Sequence, residues 1–162
     1  MRKGFSLIEL LVVIGIIAVL ATTVIVALAP ARRNAADTAR KAQLNGLGKF
    51  LLSSGACYAP QGGPGDYDLK VLYDQAVAAN PQIAQFLASA PRDPKTGTAT
   101  QSGFRYAYDA AGHCALYANL ENPDAPIDLP ALSAPTPGGG TGVLKASTPG
   151  PNGTDRYYQI AL

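Results

Sequence analysis

The feature that most constrains this 162-residue chain is a run near its amino terminus. Between Gly4 and Ala31 the only charged side chain is Glu9, and Leu10 to Ala29 is 20 consecutive residues without an ionisable group. As a helix rising about 1.5 Å per residue, such a run covers roughly 30 Å, the thickness of a bilayer's hydrocarbon core. It is too long for the 7 to 15 apolar residues of a secretory signal. It also explains why hydrophobic residues reach 48% of the chain while charged residues fall to 15%, below the roughly 25% of ordinary soluble domains. Glu9 stands at the head of this run, one turn past the basic residues Arg2 and Lys3. A carboxylate within a membrane span is costly and marks a functional position, while one left in interfacial water is merely tolerated. Both readings of Glu9 stay open on composition alone.

Charge and cysteine counts narrow the chemistry. Thirteen basic and eleven acidic residues give a formal charge of +2, too near balance for a chain built around nucleic-acid electrostatics. Two cysteines, Cys57 and Cys114, and one histidine, His113, do not suffice for a four-ligand Cys/His zinc site. A nucleophilic triad would have to use His113, which sits in a turn beside Cys114. There is no Gly-x-Ser-x-Gly, and Gly138 to Lys145 lacks the Gly-Lys-Ser/Thr ending of a phosphate loop. The chain is therefore not expected to be an enzyme.

The order Met1-Arg2-Lys3-Gly4-Phe5-Ser6-Leu7-Ile8-Glu9-Leu10, followed by Leu11-Val12-Val13-Ile14-Gly15-Ile16-Ile17-Ala18, resembles the leader and helix start of type IV prepilins and pseudopilins. The resemblance implies cleavage by a prepilin peptidase between Gly4 and Phe5 and methylation of the new Phe5 amine. Gly4 suits the cut because a residue without a side chain lets extended backbone approach a protease closely. The freed amine needs a partner where water is excluded, and Glu9 offers the opposite charge. In a staggered bundle of such helices, the Glu9 carboxylate of one subunit would meet the Phe5 amine of its neighbour and set register. Removal of Arg2 and Lys3 would leave 11 basic against 11 acidic side chains. Arg2 and Lys3 before the span and Arg32 and Arg33 after it tie the positive-inside count. A cytoplasmic amino terminus is thus implied by the resemblance alone.

Beyond the span the expected organisation is a leader at 1–4, a transmembrane and assembly helix at 5–30, an amphipathic stalk helix at 31–54 and a head at 55–162. Pro30 should kink or restart the helix, although the family often carries a proline a few residues earlier. Ala35, Ala36, Ala39, Ala42, Leu44, Leu47, Phe50 and Leu51 then recur at spacings of three and four. The two segments together form a stalk of roughly 49 residues, about 70 Å long. Arg32, Arg33, Arg40 and Lys41 make a basic cluster just past the membrane, read as meeting lipid headgroups or solvating a helix face rather than binding DNA.

All eight tyrosines and twelve of thirteen prolines follow Gly55. Periodicity predicts a helix over Asp66 to Ala79 and a short one from Pro81 to about Ser89, then a turn-rich loop from Pro91 to Gly97. Strands are predicted at Phe104 to Tyr108, at Cys114 to Leu120 and at Arg156 to Leu162, with Ala110-Ala111-Gly112 as a hairpin loop. The Pro- and Gly-rich stretch 123–153 reads as a long exposed loop. The fold expected is α+β: a long amino-terminal helix packed on a small head with short helices and an antiparallel sheet of about three strands. This order of elements also resembles pilin and pseudopilin heads.

A segment exported past the membrane lies in an oxidising compartment, so Cys57 and Cys114 are expected to form a disulfide; two buried thiols are the alternative. No cofactor and no metal are expected. Calcium is the one candidate, at Asp66 and Asp68 or at Asp124 and Asp128 with Asp155, as in some pseudopilin heads, but no EF-hand spacing is present. Asn152-Gly153-Thr154 matches a glycosylation sequon and is also a turn signal.

The function implied is a structural subunit of a type IV pilus or pilus-like filament. A pseudopilin of a type II secretion or DNA-uptake machine shares every stalk feature. A membrane-tethered ligand-binding head is the reading from another class, and it leaves Glu9 without a use. Implied partners are further copies and related pilins, the prepilin peptidase, the inner-membrane assembly platform and the bilayer. The implied location is the bacterial inner membrane, single-pass, and then a cell-surface pilus or periplasmic pseudopilus.

Overall fold

A computed structural model of the protein describes residues 6–53 and 57–162. One helix, α1 (Leu7–Ser53), accounts for 47 residues and is about 70 Å long at helical rise. It runs through Pro30 rather than restarting there. A proline removes one backbone hydrogen bond, and the alanines, leucine and arginines around Pro30 are strong helix formers that carry the helix onward. In the apolar half, the hydroxyls of Thr22 and Thr23 donate to the carbonyls of Val19 and Leu20, each at 2.8 Å. Neither is left bare on an apolar surface.

The head is a five-stranded antiparallel sheet, with order β1-β2-β3-β5-β4, packed on the second half of α1. Its strands are β1 (Gly65–Asp68), β2 (Arg105–Tyr108), β3 (Cys114–Asn119), β4 (Gly142–Lys145) and β5 (Arg156–Ala161). Two short helices, α2 (Leu69–Ala79) and α3 (Ile83–Phe86), follow β1. The α+β architecture is the one expected, with five strands instead of about three. β1 lay hidden in the expected helix because Asp68 ends the strand and starts α2. The Asp68 backbone is extended, and its carboxylate accepts the Lys70 N–H at 2.8 Å as an N-cap. α3 is shorter than the expected 81–89; Asn80 closes α2, and its side-chain oxygen accepts the Gln82 N–H at 3.1 Å in the turn that leads into α3.

Strand alternation sorts the sheet into two faces. Tyr106, Leu116 and Ile160 are aligned across β2, β3 and β5 and point with Cys114, Ala118, Val143 and Tyr158 into a core completed by Leu44, Leu69 and Leu72. α1 comes close to β5 at Gly48, where an added Cβ would lie 3.2 Å from the Ile160 side chain. The stretch 123–153 is largely exposed before Gly142, as expected of a loop, but it also supplies the buried edge strand β4 and is pinned to the opposite face of the sheet. Its anchors are polar. Gln159, fully buried, accepts the Thr136 N–H at 2.9 Å and donates to the Gly140 carbonyl at 2.8 Å. The Asn119 side-chain oxygen accepts the Asn152 N–H at 2.7 Å, and the Asn119 carbonyl accepts from the Asn152 side chain at 2.7 Å.

Candidate assembly site

Among the described residues, the first half of α1 is not covered by the head. Its most apolar 18-residue window has a mean hydropathy of 3.0 with none of it buried, and side chains such as Leu7, Ile8, Ile14 and Val19 are exposed. By length and composition this helix is able to cross a membrane. Apolar area of this extent is unfavourable in water.

At its head the Glu9 carboxylate accepts the backbone N–H of Ser6 at 3.0 Å. Ser6-x-x-Glu9 is the spacing of a capping box, in which the acid three residues on satisfies the N-cap amide. The spacing Ser6-Leu7-Ile8-Glu9 signals this local role in the sequence, independently of the carboxylate's charge. Gly4 and Phe5, the expected cleavage and methylation positions, lie outside the described residues.

The second half of α1 joins the head through a stripe that is apolar at the top and ionic at the bottom. Leu44 and Gly48 are buried as the stripe continues downward to Asp37 and Arg40, which are buried too. Ala35 and Ala42, expected on the packed face, are exposed instead. Arg40 is wholly enclosed. Its Nε and Nη2 donate to the two oxygens of Asp93 at 2.6 and 3.0 Å, Nη1 donates to Asp37 at 2.8 Å, and Nη2 also donates to Glu121 at 2.7 Å. Asp37 in turn accepts the backbone N–H groups of Glu121 and Asn122 at 2.8 and 2.9 Å. Burial pushes the Asp93 carboxyl up, but the hydrogen bond from Arg40 and the N–H groups of Thr96 and Lys95 outweigh it and hold the group down at about 2. Burial likewise works against the Arg40 charge, and the hydrogen bonds to Asp93, Glu121 and Asp37 outweigh it, so its pKa is raised further.

The expected basic cluster is thereby divided, which corrects the reading of all four cations as surface groups. Arg40 is consumed by the head, Lys41 lies with its Nζ 5.5 Å above the Tyr158 ring, and only Arg32 and Arg33 remain exposed on the helix. Cys57 and Cys114 form the expected disulfide, with Cα atoms 5.8 Å apart. It ties the chain just past α1 to the start of β3.

The aspartates considered for calcium are dispersed. Asp66 pairs with Arg105 at 3.0 Å and accepts the Tyr117 hydroxyl at 2.6 Å. Asp68 caps α2 and accepts the N–H groups of Ser102 and Gly103. Asp128 accepts the Val143 N–H, and Asp155 pairs with Arg156. Among the described residues no group of three His, Cys, Asp or Glu side chains could hold a metal ion. The sequon asparagine is also engaged: Asn152 is only 7% exposed, and its Nδ2 donates to the Asn119 carbonyl at 2.7 Å. A glycan on that nitrogen is incompatible with this fold.

Residues 1–29 match the family model described as the prokaryotic N-terminal methylation motif. Among curated proteins, the type IV wide pilus major component PilA4 of Thermus thermophilus is 56% identical over 48 residues. The alignment covers 30% of this chain and 37% of that relative. No solved structure matches the chain significantly. The methylation motif and this relative support the type IV pilin family for the chain.

Proposed function

We propose that the protein is a structural subunit of a type IV pilus or pilus-like filament, polymerised through its amino-terminal helix. The observation that carries this reading is the uncovered apolar half of α1, headed by Glu9. Before assembly the helix anchors the subunit in the inner membrane with its amino terminus in the cytoplasm. Prepilin peptidase cuts between Gly4 and Phe5 and methylates the Phe5 amine, and the assembly platform then extracts the subunit. In the filament, apolar helices of neighbouring copies replace lipid, and the Glu9 carboxylate of one subunit pairs with the Phe5 amine of the next. A pseudopilin of a secretion or DNA-uptake machine would use the same helix in the same way.

The test separates the two roles of Glu9. Glu9→Gln keeps a side chain able to complete the capping box but removes the charge. Filaments sheared from cells and imaged by electron microscopy, with the chain identified by peptide sequencing, are expected from the native protein. The variant should insert into the membrane normally and yield few or none. Equal filament yield from Glu9→Gln would overturn the charge-pairing step, and absence of the native chain from any filament would overturn the reading as a whole.

A further inference from the structure

We propose that Arg32 and Arg33 form a docking site for the phosphates of anionic phospholipid headgroups, on the face of the bilayer nearer the head. This inference rests on the membrane-anchored reading of α1. The uncharged run ends at Ala31, and one and two residues of helical rise place the backbones of Arg32 and Arg33 about 1.5 and 3 Å beyond it, with long side chains that reach further. The headgroup region on each side of the hydrocarbon is about 5 to 8 Å deep. Both arginines therefore enter that layer, at neighbouring positions about 100° apart around the helix.

The head does not compete for them. Its lowest contacts on α1 are the Asn122 amide donating to Asn34 at 2.9 Å and the Asp37 carboxylate beneath Glu121 and Asn122. The two other cations of the cluster are already taken, Arg40 by three carboxylates and Lys41 by the Tyr158 ring. Arg32 and Arg33 are exposed and make no hydrogen bond or ion pair with any described residue. A guanidinium carries five N–H donors in a planar fork that matches two oxygens of one phosphate. Its aliphatic stem can lie along apolar surface while the fork reaches the interface. The fold thus sorts a four-cation cluster into an internal pair and an external pair, and leaves the external pair at headgroup depth.

The experiment uses the full chain reconstituted into vesicles of equimolar phosphatidylcholine and phosphatidylglycerol, with spin-labelled versions of each lipid reporting which one associates with the protein. Arg32→Gln/Arg33→Gln keeps helix-forming residues and removes both charges. The native chain should prefer phosphatidylglycerol by several-fold, with a ceiling of about thirty-fold set by about 1 kcal/mol for each basic residue near an anionic surface. The double variant should float with the vesicles equally well and lose most of this preference, keeping only the part that Arg2 and Lys3 contribute. An unchanged preference in the variant would overturn the proposal. So would loss of the native preference on adding inorganic phosphate but not chloride at equal ionic strength, which would reassign the site to free phosphate. Failure of the native chain to float would instead remove the membrane-anchored reading, and the proposal with it.

Discussion

Replacing Arg40 with methionine should be among the most damaging single changes available in the head. The substitution keeps much of the side chain's length and helix propensity, so the loss isolates the guanidinium. Three carboxylates, Asp37, Asp93 and Glu121, would then face one another without their common cation. Lys95 lies 3.8 Å from Glu121 and is exposed, so it screens only the outermost of the three. Removing one partner of a buried ion pair costs about 3 to 5 kcal/mol, against a typical domain stability of about 5 to 15 kcal/mol. For a head of this size that is a fall in Tm of roughly 15 °C or more. The full chain in detergent, titrated with guanidinium and followed by the near-ultraviolet circular dichroism of its tyrosines, gives the free energy directly. Adding Asp93→Asn to Arg40→Met should recover part of the loss, because it removes the charge that burial penalises most. The gap between native protein and Arg40→Met should also narrow as the pH falls toward 2, where the stranded carboxylates take up protons. A loss below about 1 kcal/mol, or a gap that widens in acid, would refute the argument that Arg40 offsets buried negative charge.

Other consequences are open to simpler measurements. The disulfide closes the chain over a sequence separation of 57 residues, so reduction should lower stability by about 4 kcal/mol on the chain-entropy model; an unchanged denaturation midpoint in reductant would contradict this. For the native chain the sign of the acid response follows from Asp93, whose folded pKa of about 2 lies below its ordinary value of 3.8. The resulting stability, at most about 2 kcal/mol, is present above pH 4 and lost as the pH falls through 2, and an acid titration of Tm with no decline in that window would count against it. Mass spectrometry of the membrane-extracted protein should find Phe5 as the first residue carrying an added methyl, whereas an intact Met1 terminus would exclude processing at this junction.

How far the molecule was legible in its sequence depends on how local the determining contacts are. The apolar half of α1 is a property of consecutive residues, and β2, β3 and β5 show the alternation of strands with one face in the core, so all four could be read directly. β1 opens a segment with the spacing of a helix, and β4 lies in Pro- and Gly-rich chain, so neither stands out locally as a strand. They exist as strands because Tyr67 finds Tyr106 and Leu144 finds Tyr157 across the sheet. The pinning of 123–153 to the sheet was hidden for a related reason: its Pro and Gly content reports the turns, while its anchors, Gln159 and Asn119, belong to other elements.

The ionic joint marks the firmest limit. Asp37 and Arg40 sit three residues apart among other charged and polar residues, a pattern that fits a solvated helix face equally well. What buries them is Asp93, 53 residues beyond Arg40, and Glu121, 81 residues beyond it. No local period encodes that pairing. A run of charges in a sequence therefore states how many ions a segment carries, and tertiary pairing decides which of them remain to act on anything outside the chain. In this protein the division falls between Arg33 and Arg40, where the head first closes on the stalk. Below that point the helix presents unpaired cations and bare apolar side chains, the two kinds of group that a bilayer, and after it a bundle of like helices, are able to cover.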